Sequence, residues 1–241
     1  MKWFVISTFF LLCFASCSTP DQNNEQDQAQ KPAADDTTPQ RKQSNDNSFD
    51  LNNFQELVDR YEDPKRAEWQ NPTYIIEKLG DIKGKTIADI GAGTGYFTFR
   101  LAQEGAKVIA IDIDERFLDY IENRKEELID AIPLTQIETR LAKEDDPMLT
   151  QNEADIALLV NTYHFIDNRT SYLNKLAKGV DNNGRIYIVD YKKEDIPIGP
   201  AQEHKIAQTT VVDEVQKAGL EILDIDNKSL KYQYIITARK K

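Results

Sequence analysis

The chain has 241 residues and a formal charge of −11, from 30 Lys and Arg against 41 Asp and Glu, with 40% hydrophobic residues. That is room for one sizeable domain and an appendage. So acidic a chain, with no cluster of Lys or Arg to offset it, is repelled by a phosphate backbone, which argues against DNA or RNA as a partner.

Lys2 is followed by an apolar run from Trp3 to Ala15, shorter than the roughly 20 residues that span a bilayer as a helix. Residues 1–16 therefore read as a signal peptide. Phe14-Ala15-Ser16-Cys17 resembles the lipobox of bacterial lipoproteins. The resemblance implies lipid attachment at Cys17, membrane association through that anchor and a place in the cell envelope. Ser18 favours the outer membrane in the usual sorting pattern. An ordinary secretory signal or an uncleaved anchor is the alternative, and an unused signal would leave the protein cytoplasmic. Cys13 and Cys17 are the only cysteines, so the folded part has no thiol for a disulfide, a nucleophile or a zinc site. Residues 17–48 are rich in Gln, Asn, Asp, Thr and Pro and read as a disordered tether.

Residues 49–84 read as an N-terminal helical cap. Leu51, Phe54, Leu57, Val58 and Tyr61 recur at helical spacing, and Asp63-Pro64 breaks that helix. Asn71-Pro72 starts a second helix, ended by Gly80. Residues 85–241 then alternate. The predicted order is strand 86–90, helix 96–104, strand 107–111, helix 115–132 stopped by Pro133, strand 135–141, strand 156–160 and helix 169–180. The Asn182-Asn183-Gly184 turn leads to strand 185–191. A helix capped by Thr209 or Thr210 runs to Ala218, and strands 220–225 and 232–238 follow with only a loop between them. Such alternation predicts an α/β fold with a doubly wound parallel sheet, finished by a pair of strands that can run antiparallel.

The stretch "ADIGAGTGYFT" joins the first strand to its helix through glycines at 91, 93 and 95. A dinucleotide fingerprint would place its third glycine at 96, where this chain has Tyr96. Asp89 adds negative charge just before the loop. Both features disfavour a pyrophosphate and suit a phosphate-free nucleoside with a positive centre. Asp112 ends the second strand 21 residues after Gly91, where a carboxylate can accept both ribose hydroxyls; a turn or helix-cap role is the alternative.

These residues resemble the class I S-adenosylmethionine-dependent methyltransferases. "VIAIDID" is similar to the acidic end of their second strand, "ADIALLVNTYHFID" to their fourth-strand region, and "LAKGVDNNGRIYIVDY" to the helix-turn-strand after it. Within the class the likeness is to the menaquinone-biosynthesis and arsenite-methylating types, and the first motif also occurs in protein-isoaspartyl methyltransferases. The resemblance implies a Rossmann-like seven-stranded sheet with an antiparallel last strand, S-adenosyl-L-methionine as cofactor and a small-molecule methyl acceptor. It places the cofactor on Gly91, Ala92, Gly93, Gly95 and Tyr96. Asp89 would face its amino group, Asp112 its ribose, Ile113 and Asp145 its adenine, and Asn161 its methionine tail. Lys143 stands where the family often has an acid, so Asp145 is the nearest substitute.

The acceptor side should come from the loops after the fourth and fifth strands and from the cap. Tyr163 and His164 follow the fourth strand and His204 lies in the long segment after the fifth. Each is a candidate catalytic group; a backbone-tied His164 and a solvated His204 are the alternatives. Two histidines make no metal site, so none is expected. An arsenite acceptor is disfavoured without thiols, which leaves an O, N or C nucleophile. S-adenosylmethionine is made in the cytoplasm, whereas a lipoprotein faces away from it. A non-catalytic nucleoside-binding envelope protein on this fold, or a nicotinamide oxidoreductase, is the competing reading.

Overall fold

The computed structural model describes residues 53–128 and 136–241. The signal segment 1–16, Cys17, the tether, residues 49–52 of the cap, the end of the helix expected to run to Ile132, Pro133 and Thr135 lie outside the described residues.

Seven strands form one sheet in the order β3-β2-β1-β4-β5-β7-β6. They are β1 Thr86–Ile90, β2 Lys107–Asp112, β3 Ile137–Leu141, β4 Ala154–Val160, β5 Val180–Tyr191, β6 Leu220–Asp226 and β7 Gln233–Lys240. β1 to β5 pair in parallel, while β7 enters antiparallel between β5 and β6. The central strands are apolar because helices cover both faces. Alternate residues feed two cores. Ile87, Val108, Ile156 and Leu158 face α3 (Pro72–Leu79), α4 (Tyr96–Gln103) and α5 (Glu115–Glu127). Ala88, Ile109, Ala157 and Leu159 face α6 (Arg169–Gly179) and α7 (Gln208–Lys217). Strand order reverses between β1 and β4, and the crevice at the carboxyl ends of strands flanking such a reversal is where open α/β sheets bind ligands.

Among the described residues the cap has three helices where two are expected. Between α1 (Phe54–Tyr61) and α3 lies α2 (Lys65–Gln70). The break at Asp63-Pro64 is only a turn, in which the Asp63 carboxylate accepts the Lys65 N–H at 2.9 Å. Asn71 takes a left-handed φ of 48° to end α2, and its side chain then accepts the Tyr74 N–H to start α3. α1 sits on α5 through Phe54 and Tyr61, whose rings lie 5.1 and 5.6 Å from that of Phe117. α3 is tied to β6 by Tyr74 on Asp226 at 2.7 Å and Lys78 on Asp224 at 2.9 Å.

Two other boundaries differ. The Asn-Asn-Gly turn is a bulge inside β5: the register steps from Ala154 opposite Val180 to Ile156 opposite Arg185, so the turn residues loop out. α7 starts at Gln208 without a side-chain cap, so neither Thr209 nor Thr210 serves as one.

Candidate cofactor and acceptor site

β1 delivers Asp89 to the interior and then turns sharply. The N–H groups of Gly91 and Ala92 both donate to the Ile111 carbonyl at 2.8 and 3.0 Å, which fastens the loop to the end of β2. Gly91 has a φ of 73°, and a Cβ there would lie 2.4 Å from the Thr162 hydroxyl oxygen at the end of β4. Only glycine lets the two strand ends approach so closely. Gly93, with φ 53°, lies under the Tyr61 ring of the cap.

Asp112 organises the loop from the other side. Its Oδ2 accepts the Gly93 N–H at 2.8 Å and its Oδ1 the Asp114 N–H at 3.0 Å. Burial pushes its carboxyl up, and these N–H groups pull it back. Each oxygen keeps lone pairs for further donors, which is what a vicinal diol requires. Ile113, next along the chain, is 59% exposed, an apolar face beside that carboxylate.

Asp89 is almost fully buried, and its Oδ2 accepts the Thr98 hydroxyl at 2.7 Å. Desolvation pushes its pKa up to about 6, against the pull of Thr98 and of the Arg66 guanidinium. Tyr96 opens α4 with its ring inward, flanked by the guanidinium carbons of Arg66 at 4.0 Å and Arg100 at 3.7 Å. Asn161 ends β4 with a φ of 59°, and its Oδ1 accepts Gln233 Nε2 at 2.7 Å.

The structure separates the expected catalytic residues. A turn of 3-10 helix over Tyr163–Phe165 sends neighbouring side chains different ways. The Tyr163 hydroxyl donates to Glu214 of α7 at 2.9 Å, and Glu214 is also held by Arg169 at 2.9 Å. Burial and that carboxylate push the phenol well above its ordinary range, and the contact turns its hydroxyl toward α7. His164 turns instead to Asp190 at the end of β5, with Nδ1 at 2.8 Å from Oδ1 and its own N–H donating to Oδ2 at 3.0 Å. Asp190 also accepts the Tyr191 N–H at 2.7 Å. The alternative of a backbone-tied imidazole is thus replaced by a carboxylate contact. Its ring lies 5.8 Å from that of Tyr191, which in turn lies 6.0 Å from Trp69 of the cap. Phe165, 69% exposed, covers the other side of the imidazole at 4.1 Å. His204 sits on a separate exposed turn, Gln202–His204. Asp145 is largely exposed and paired with Lys175 of α6 at 2.7 Å, so its carboxylate is already engaged.

Arg66, Gln70, Asp190 and Gln233 escaped the sequence reading. A signal existed for the first two: Arg66, Trp69 and Gln70 share the i, i+3, i+4 spacing of one helical face. Among the described residues, the buried side-chain polar atoms without a partner are Thr94 Oγ1, Tyr96 Oη, Gln70 Nε2, His164 Nε2, Gln233 Oε1 and Glu62 Oε1. Native proteins leave few such atoms unsatisfied. The first five belong to the glycine loop, α2 of the cap and the segments after β4 and at the start of β7, while Glu62 pairs with Arg124 of α5 through its other oxygen at 3.1 Å. No three His, Cys, Asp or Glu come together as a metal site among the described residues.

A model of the methyltransferase domain matches residues 88–186. Residues 88–186 are thus similar to a methyltransferase domain. Among curated proteins it is 29% identical over 125 residues to a demethylmenaquinone methyltransferase of Tropheryma whipplei, covering 52% of this chain and 48% of that one. It is 27% identical over 125 residues to a ubiquinone biosynthesis O-methyltransferase of Aeromonas salmonicida, covering 52% and 49%. The chain thus spans about half the length of the curated relatives it matches. Among solved structures, a SAM-dependent methyltransferase of Aquifex aeolicus superposes with a TM-score of 0.70 at 25% identity, covering 79% of this chain and 98% of that one. The seven strands and the antiparallel β7 are those expected from the methyltransferase resemblance. A [4+2]-cyclase shares the fold at 14% identity and a TM-score of 0.63, covering 73% and 81%, so the reaction has to be argued from the site itself.

Proposed function

We propose that this chain is an S-adenosylmethionine-dependent methyltransferase acting on a small-molecule acceptor by in-line displacement. The observation that carries it is Asp112. Its Oδ2 holds the glycine loop through the Gly93 N–H and its Oδ1 accepts the Asp114 N–H, with Ile113 as an exposed apolar neighbour. That combination suits the ribose and adenine of a nucleoside. Two aspartates beside the loop, Asp89 and Asp112, suit a cationic one. The cofactor, when bound, supplies an electrophilic methyl group on a sulfonium leaving group.

The chain's own residues align and deprotonate the acceptor. The Asp190 carboxylate fixes the Nδ1–H tautomer of His164, which leaves a lone pair on Nε2. Nε2 then takes the proton of an O–H, N–H or C–H acceptor as its nucleophilic atom attacks. Trp69, Tyr191 and Phe165 give an aromatic surround suited to a flat acceptor. The menaquinone and ubiquinone relatives support a small acceptor of this kind. Transfer of a labelled methyl group from S-adenosylmethionine to an organic extract, repeated with His164→Gln, tests the reading. Labelled product, falling about 100- to 10,000-fold in rate without the imidazole, is expected for a general base. Cofactor binding without turnover of any extract would instead support the non-catalytic nucleoside-binding protein.

A further inference from the structure

Several elements converge on Tyr191 at the carboxyl end of β5. The Trp69 ring of α2 lies 6.0 Å from its ring, and the His164 imidazole lies 5.8 Å away. Gly199, in the segment after β5, takes a left-handed φ of 80°, and a Cβ there would lie 2.8 Å from the Tyr191 ring. The remaining neighbour is Gln233, the first residue of β7, which pairs with Tyr191 across the antiparallel ladder. Val189 and Ile235 belong to the core on the cap side, so the two-residue period of strands puts Tyr191 and Gln233 on that same face.

Gln233 is fully buried, and its Nε2 donates to Asn161 Oδ1 at 2.7 Å across the end of β5. Asn161 has a left-handed φ of 59°, with its N–H on the Val189 carbonyl at 2.9 Å. The bond to Asn161 fixes the Gln233 amide and engages its nitrogen. Oε1 is left buried without a partner among the described residues. A buried amide oxygen without a donor is costly. It can only accept, so whatever satisfies it brings an O–H or N–H. The nucleoside does not supply that group. Its ribose and adenine are assigned to Asp112 and Ile113 at β2, four strands from β7 and about 19 Å away at the usual strand spacing. Its ammonium is assigned to Asp89 on β1, three strands away. The missing donor therefore belongs to the methyl acceptor.

Resting on the methyltransferase reading, we propose that Gln233 is an acceptor-specificity residue, whose side-chain carbonyl takes a hydrogen bond from a second O–H or N–H of the acceptor. The acceptor is then a flat molecule with two polar hydrogens, lying on Tyr191 between His164 and Gln233. As the bond from its nucleophilic atom to the methyl carbon forms, the sulfur–methyl bond breaks and sulfur keeps the electron pair. The first proton goes to His164 Nε2, and the second stays on the product, held by Gln233. An analogue whose second group is already methylated sets an ether oxygen against Oε1 and is rejected.

The test uses the full chain, labelled S-adenosylmethionine and the benzenediols catechol, resorcinol and hydroquinone, each beside its own monomethyl ether. The isomers differ in the spacing of their hydroxyls, so the gap between His164 and Gln233 selects among them. The wild type should methylate at least one diol with a kcat/KM at least about tenfold above that of its monomethyl ether. Gln233→Met, close in shape but without the oxygen, should bring the two within about threefold, through a higher KM for the diol. It should leave S-adenosylhomocysteine affinity within about threefold. Gln233→Glu keeps an acceptor oxygen, and Asn161 can turn its amide to donate to it, so this variant should retain more of the preference. A wild type without the preference overturns the proposal whether or not the variants fold, as does a preference that survives in Gln233→Met. A wild type that ignores every diol but labels an organic extract also overturns it, and leaves the methyltransferase reading standing. No label in either the diols or the extract overturns both.

Discussion

Lowering the pH from 8 to 5 should weaken S-adenosylhomocysteine binding about elevenfold, and Asp89→Asn should remove that dependence. Asp89 is enclosed by the sheet and α4, with one side-chain hydrogen bond from Thr98, and burial lifts its pKa from 3.8 to about 6. An ammonium opposite it requires the ionised form. Below the free-state pKa the affinity then falls by the factor 1 + 10^(6 − pH), about 11 at pH 5 and close to 1 at pH 8. The sign for folding is the reverse of that for a paired carboxylate. The native protein holds the proton between about pH 4 and 6 while the unfolded chain has lost it, so this group lowers stability as pH rises through that window. A shift of roughly two units corresponds to about 3 kcal/mol, carried in full above pH 6. Asp89→Asn should therefore raise the melting temperature at pH 8 and change it little at pH 4. Calorimetry in buffers of different ionisation enthalpy would count about one proton released on binding near pH 5. An affinity flat from pH 8 to pH 5, or an equal slope in Asp89→Asn, would refute this reasoning.

Other substitutions separate the site from its scaffold. Asp112→Ala removes the acceptor for the Gly93 and Asp114 N–H groups; it should cost about 1–3 kcal/mol in denaturant unfolding and weaken the nucleoside at least tenfold in calorimetry. Gly91→Ala should destabilise by about 2–4 kcal/mol, from a left-handed φ and overpacking against Thr162. Adding Thr162→Ala should return the overpacking part and not the backbone part. Glu214→Gln loosens Arg169 and Tyr163 and should lower the melting temperature by a few degrees, about 1 kcal/mol in a domain of this size, with cofactor affinity unchanged. Labelled palmitate should enter the wild-type chain in cells and not Cys17→Ser.

Much of the scaffold is legible because it rests on contrast along the chain. β1 lies between Lys85 and Gly91 and occupies the residues its apolar run marks. The carboxylates closing β1 and β2 are visible as lone acids in apolar strands. α2 is only weakly legible, because its six residues carry the short face of Arg66, Trp69 and Gln70 but no apolar period, so Arg66 looks like a surface charge. Adjacent residues are also indistinguishable in sequence when one turn parts them, as with Tyr163, drawn to Glu214, and His164, drawn to Asp190. Asp190 itself is hidden as a strand residue, since only the return of β4 beside β5 brings it under the imidazole. Asp145 is the converse, acidic at the expected place but turned toward Lys175.

The central claim is that a phosphate-free, sulfonium-derived nucleoside lies on the Gly91–Gly95 loop with its sugar on Asp112. Titrating the full chain with S-adenosylhomocysteine and separately with NAD measures this most directly. A single saturable site for S-adenosylhomocysteine, lost in Asp112→Ala, and no heat with NAD is the predicted outcome. Silence with S-adenosylhomocysteine and S-adenosylmethionine alike, or equal binding of NAD, would contradict it.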